Sequence, residues 1–171
     1  MNHAQAVKDE SDALGDLITK QEEYIEKLKE EEELLAKREK NALNTDLSKA
    51  GISNVQLTLE DNGTSNAQEV QSAIAEEIKK REEAFKKASD TEKEKLQEEI
   101  EVLSALAGRV ETISKKWEDV SGEIETATNN LNSYKDSASA ADLLKNDLNV
   151  YYEVDNELEE ISDELAQVKS Q

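Results

Sequence analysis

Catalysis and ion binding need groups that exchange protons, attack as nucleophiles or donate lone pairs, and this chain offers few of them beyond carboxylates. Its single histidine, His3, lies in the first few residues, where a fraying backbone makes an imidazole a poor base or ligand. Cysteine is absent, which removes disulfides, thiolate nucleophiles and Cys-based zinc sites together. With one imidazole and no thiol, neither the nucleophile–base arrangements of hydrolases nor the usual transition-metal sites can be assembled. The 41 Asp and Glu residues would act as acid–base pairs only in a concave, partly dry pocket that drives their pKa values apart. Thin helical rods provide no such pocket. Leu59-Glu-Asp-Asn-Gly63 has the composition of a calcium loop but not its alternating acid order or its Glu at the twelfth position. No phosphate-cradling glycine loop precedes an expected helix. The expectation is a protein that is not an enzyme, with no catalytic, cofactor-binding or metal-binding residue and no cofactor.

The residues easiest to mistake for a site are Trp117 and the pair Tyr151 and Tyr152, and the pattern around them assigns the first two to packing. Leu103, Val110, Trp117, Ile124 and Leu131 recur every seven residues, and Leu106, Ile113, Val120, Ala127 and Tyr134 follow each by three. That is an uninterrupted a/d heptad seam, which lets one helix bury a continuous stripe against another. Its e positions Ala107, Ser114, Ser121 and Thr128 are all small, so a third helix can approach closely. A second seam reads Leu144, Tyr151, Leu158 and Leu165, with Val154 and Ile161 at the intervening positions. Expected core residues are therefore Leu103, Leu106, Val110, Ile113, Trp117, Val120, Ile124, Leu131, Leu144, Tyr151, Val154, Leu158, Ile161 and Leu165. Tyr152, beside the second seam, and the acids Glu157, Glu159, Glu160 and Asp163 form the expected partner surface.

The elements carrying these stripes are helical. Proline, which costs roughly 3 kcal/mol inside a helix, is absent, and there are only five glycines. A first helix is expected over about 4–47. Its stripe is Leu14, Ile18, Gln21, Ile25, Leu28, Leu35 and Ala42, interrupted by Glu32 and Glu39; the second half should pack less tightly or face a gap. A connector over about 48–65 is punctuated by Gly51 and Asn62-Gly63. Within it Val55, Leu57 and Leu59 alternate with polar residues at the period of a half-buried strand, and are expected to lie as an extended segment on the helices, with strand pairing to a second copy of the chain as the alternative. Helix resumes for about 66–134. It either runs on continuously, which is the expectation, or breaks at the capping-box pattern Ser89-Asp-Thr-Glu92 near 89–90. The polar run 129–141 then reads as a fraying end and a new start, giving a last helix over about 139–169. Residues 1–171 are expected to form a single all-α domain, either an elongated antiparallel coiled coil or a three- to four-helix bundle of long helices.

A net charge of −20 disfavours direct binding to nucleic acid or anionic membrane, where affinity rests on Lys and Arg meeting phosphate. No apolar run is long enough for membrane insertion, and the first twenty residues carry Asp9, Glu10, Asp12 and Asp16 where a signal peptide has an apolar stretch. Localisation is open: the cytoplasm is favoured, with export lacking a classical signal peptide as the alternative. Tyr151-x-x-x-Asp155 resembles the short tyrosine-acid signal of type VII secretion substrates and their helical partners, which are also small, acidic and helical. The family's W-x-G hairpin string is not reproduced, since Glu118 and Asp119 follow Trp117. That resemblance implies an exported or surface helical protein. The residue pattern itself points first to a non-enzymatic interaction or scaffold protein, binding a protein partner through an acidic helical surface. A third class is an acidic nucleic-acid mimic that occupies the groove of a basic protein. Both seams can be satisfied within one chain or in a homo-oligomer.

Overall fold

The computed structural model describes the backbone of residues 3–170 and the side chains of residues 5, 6 and 8–144. The chain is all-α. Helix α1 (His3–Leu34) passes through a wide π-turn, Leu35–Glu39, into α2 (Lys40–Lys49); α3 spans Ala67–Lys87 and α4 Asp90–Ser170. Two compact units are built from these elements, residues 25–126 and residues 1–24 with 127–171.

Residues 25–126 hold the larger core. Leu103, Leu106, Val110, Ile113, Trp117 and Val120 of α4 are buried with Leu35, Leu43, Leu47, Ile52, Leu57, Val70 and Ile74, and Ile124 packs half-buried against them. The π-turn explains how α2 joins this core. Its closing bond runs from the Lys40 N–H to the Leu35 carbonyl, one residue longer than an α-helical bond, and the extra residue rotates everything beyond it. The inward step from Leu35 is therefore to Leu43, which is fully buried with Leu47, while Ala42 is exposed. Looser packing of the second half of the first helix is overturned for this reason, since Leu43 and Leu47 are more deeply buried than Leu14 and Ile18, which are half-buried; the alternative, a gap beside it, agrees with the open cavities lined by Leu34, Arg38, Ala42 and Asp46.

At the end of α2, Gly51 adopts φ +96°, a conformation open to glycine at little cost. Its N–H bonds the Ser48 carbonyl at 3.1 Å, and the Ile52 N–H bonds the Leu47 carbonyl at 2.9 Å. These paired bonds close the helix as a Schellman motif and bring buried Ile52 next to Leu47. The extended segment that follows has no neighbouring strand, yet its backbone is paired. Asn44 of α2 accepts the Leu57 N–H at 2.8 Å and donates to the Leu57 carbonyl at 3.1 Å. Asn66 accepts the Thr58 N–H at 2.8 Å and donates to the Gln56 carbonyl at 2.7 Å. Two asparagine amides thus substitute for adjacent strands and satisfy groups that would be costly to bury unpaired. Leu57 is fully buried, and Val55 and Leu59 pack half-buried on the core.

The tip of the connector is a tight reversal. The Gly63 N–H bonds the Glu60 carbonyl at 3.1 Å, the Glu60 N–H bonds the Thr64 carbonyl at 2.9 Å, and Leu59 bridges Ser65. Gly63 has φ +85° and lies against α4, where a Cβ would meet the Cβ of Ser121 at 2.9 Å. Ser65 and Ser114 share a hydroxyl hydrogen bond of 2.7 Å, and Gln71 of α3 donates to the Ala107 carbonyl at 2.8 Å. The small e residues of α4 are thus where the connector and α3 approach closely.

The expected continuous helix over 66–134 is corrected to a reversal at Ala88–Ser89. Ala88 is extended (φ −83°, ψ 156°). Ser89 and Glu92 exchange reciprocal bonds, each backbone N–H to the other's side-chain oxygen at 3.4 Å, which is the capping box acting as a helix start. The physical reason is register: Phe85 and Ala88 do not continue by sevens into Leu96 and Leu103, so α3 folds back antiparallel on α4. Arg81 locks the pairing. Its guanidinium donates to Glu77 at 2.8 Å, to Glu99 of α4 at 2.9 Å and to the Ala50 carbonyl at the end of α2 at 3.3 Å, where positive charge complements the helix dipole.

In the unit of residues 1–24 and 127–171, the backbone stays helical through 129–141, correcting the expected restart at about 139. The polar residues there are moderate helix formers without glycine or proline. Continuity keeps the first seam in register, so its next members are Ala138, half-buried, and Ala141, buried. Leu144, expected in the core, is 51% exposed for the same reason: it lies one residue before the seam position. Leu131 and Tyr134 are half-buried. Gln21 donates to the Ala127 carbonyl at 3.0 Å and Ser11 to the Asp142 carboxylate at 2.8 Å, so α1 and α4 run antiparallel here.

Candidate functional site

Of the residues singled out in the sequence, Trp117 is the most tightly specified. It is buried at 4% exposure, and its indole N–H donates to the Glu60 carbonyl at 2.7 Å. It ties the connector tip to α4 and is fully used in packing. Leu103, Leu106, Val110, Ile113 and Val120 lie buried in the same seam, and Ile124 and Leu131 at its half-buried margin. Tyr151, Val154, Leu158, Ile161 and Leu165 of the expected core, and Tyr152, Glu157, Glu159, Glu160 and Asp163 of the expected partner surface, lie outside the described side chains. Among the described residues no group of three or more His, Asp or Glu side chains is placed to hold a metal ion. No helix among them is long and apolar enough to cross a membrane.

The concave surface of residues 25–126 lies on the edge of the α4 seam that α3 and the connector leave uncovered. Those elements cover the e edge. The opposite edge, with Val102, Arg109, Lys116 and Glu123 at successive seven-residue steps, forms one wall of a furrow. The facing wall comes from Glu31 and Leu34 of α1, Arg38 and Glu39 of the π-turn, and Ala42, Asp46 and Lys49 of α2. Along α4 it extends from Val102 to Glu123, about 30 Å at 1.5 Å per residue, and is crossed by the Arg109–Asp46 ion pair that joins its two walls. Its floor is apolar, with Leu35, Leu106, Ile113 and Val120 at the base. Leu34 and Val102, 45% and 53% exposed, lie along it as large apolar side chains facing solvent.

The furrow's charge varies along its length. Its middle is lined by Arg38, Arg109 and Lys116 with Glu39 as the single acid, in a sequence where acids outnumber bases by 41 to 21. Arg109 bonds Asp46 at 2.7 Å, whereas among the described residues Arg38 and Lys116 make no ion pair. The end nearest α1 carries Glu31, Asp119 and Glu123. Beside it, the Lys37 ammonium donates to Glu33 at 2.7 Å and holds that carboxyl below the usual carboxylate range. This pair is fully solvent-exposed, so water and salt screen it.

Sequence reasoning missed the furrow because its wall residues lie off the seams. The available signal was Leu34 and Val102, large apolar residues one position before Leu35 and Leu103. Doubled positions of this kind widen a helix's apolar face beyond one neighbour. Comparison with known protein families, with curated proteins and with solved structures finds no match for the chain.

Proposed function

We propose that the chain is a non-enzymatic interaction or scaffold protein whose helices form a bundle of coiled-coil type and bind a protein partner through their outer surface. The supporting observation is the furrow. A well-packed helical unit leaves an apolar-floored groove along α4, divided by the Arg109–Asp46 ion pair, with Leu34 and Val102 facing solvent and flanking charges able to set orientation. Grooves of this form take amphipathic helices, whose apolar face enters while rim charges select the partner. The acidic stretch containing Glu157, Glu159, Glu160 and Asp163 is proposed as a second partner-facing element, suited to basic surfaces.

The reading is tested by capture from the native source, using immobilised full-length chain and its Leu34→Asp/Val102→Asp variant as paired baits. Both positions are about half exposed, so the variant keeps the core. The expected result is a discrete protein retained by the unaltered bait and lost from the variant. Identical retention by both baits, or turnover of a small molecule by the purified chain, would refute it.

A further inference from the structure

We infer that the furrow receives the acidic helical segment 153–165 of a second copy of this chain, so that the protein associates with itself, tail into furrow. The inference rests on the reading of the chain as a helical interaction protein and names the occupant of its groove. Two independent features carry it. On the receiving side, the middle of the furrow gathers Arg38, Arg109 and Lys116 against Glu39 alone, and Arg38 and Lys116 stand there without ion-pair partners among the described residues. Arg109 and Lys116 line one wall at a seven-residue step, about 10 Å along the helix axis.

On the donating side, the sequence between 153 and 165 repeats one dipeptide type four times: Glu153-Val154, Glu157-Leu158, Glu160-Ile161 and Glu164-Leu165. The steps between them are four, three and four. The segment belongs to α4, and because neighbouring residues differ by about 100° around a helix axis, this repeat makes an apolar stripe with a row of four glutamates along one edge, with Asp155 and Glu159 on the other. Glu157 and Glu164 recur at the same seven-residue step as Arg109 and Lys116. An acidic amphipathic helix of this kind matches the apolar floor beside the cationic stretch of wall at Arg109 and Lys116. The segment contains no lysine or arginine that would oppose that wall.

The test uses the full-length chain and a fluorescent synthetic peptide of residues 150–170. Binding is followed by anisotropy over a salt series, and self-association by sedimentation equilibrium. Three results are expected: saturable peptide binding that weakens as salt rises, concentration-dependent association of the full chain, and at least tenfold weaker binding to the Arg38→Glu/Lys116→Glu variant. Binding to that variant should return with a peptide carrying Glu157→Lys and Glu160→Lys. Neither Arg38 nor Lys116 supports the core, and circular dichroism of the variant verifies its fold. A chain that stays monomeric and ignores the peptide overturns the inference. Equal binding to the unaltered and charge-reversed chains overturns it as well. If the chain stays monomeric yet its furrow captures a different protein in the paired-bait experiment, the interaction reading stands and self-association falls.

Discussion

Replacing Trp117 with alanine is expected to lower the unfolding free energy by about 3–5 kcal/mol, the usual effect of truncating a large buried aromatic. The residue is 4% exposed at the centre of the α4 seam, and its indole N–H holds the Glu60 carbonyl at 2.7 Å. Truncation therefore leaves a cavity and also releases the connector tip that lies over it. Trp117→Phe should fall between the two, since it keeps most of the ring but leaves the Glu60 carbonyl without its donor. Urea melts of the three proteins followed by circular dichroism measure the series. An unchanged midpoint for Trp117→Ala would mean that the buried face of α4 is misassigned.

The second large effect is expected at Gly63. A side chain there meets two penalties of different origin. Its φ of +85° disfavours any L-residue by about 1–2 kcal/mol. A Cβ would also lie 2.9 Å from the Cβ of Ser121 and 3.7 Å from the backbone of Glu118. Relief requires the turn to lift from α4, the kind of overpacking that costs about 1–3 kcal/mol. Gly63→Ala should thus lose about 2–5 kcal/mol in total. Gly108→Ala serves as the control: nothing lies within 4 Å of its added methyl, so it should gain up to about 1 kcal/mol from helix propensity. Equal thermal shifts for the two variants would contradict the packing of the connector tip on α4.

These two sites also mark where the sequence is informative. Trp117 is readable in advance because the seven-residue repeat from Leu103 to Val120 needs nothing beyond helical periodicity to place it. Gly63 is readable as a turn residue, but its contact with Ser121 depends on the connector folding back over α4, which no local pattern specifies. The capping box at Ser89 is legible in the four residues that form it, yet their preference competes with strong helix formers on both sides, and the register mismatch beyond Phe85 decides for the break. At 129–141 the polar, small residues imitate a boundary, and with neither proline nor glycine among them the helix continues. That continuity moves Leu144 off the seam and Ala141 onto it.

The π-turn is the least legible element, since no residue type demands it. Its trace is the spacing Leu35, Leu43, Leu47, which fits burial only if one extra residue is accommodated after Leu35. The same turn places Arg38 and Glu39 on the furrow wall, so the element hardest to foresee also shapes the candidate site. π-Turns are often found where a helix serves a functional site, and here the turn deepens the burial of α2 while opening a charged wall beside it.

The central claim is that the furrow between the α1–α2 helix and α4 is where this protein meets a second copy of itself. Hydrogen exchange of the full-length protein, read by mass spectrometry at low and at high protein concentration, tests it most directly. Association through the furrow predicts that amides in 31–49 and 102–123 exchange more slowly at high concentration, together with those of the acidic segment 153–165, while α3 is unchanged. Exchange that is independent of concentration throughout, or slowing confined to α3 and the connector, would contradict it.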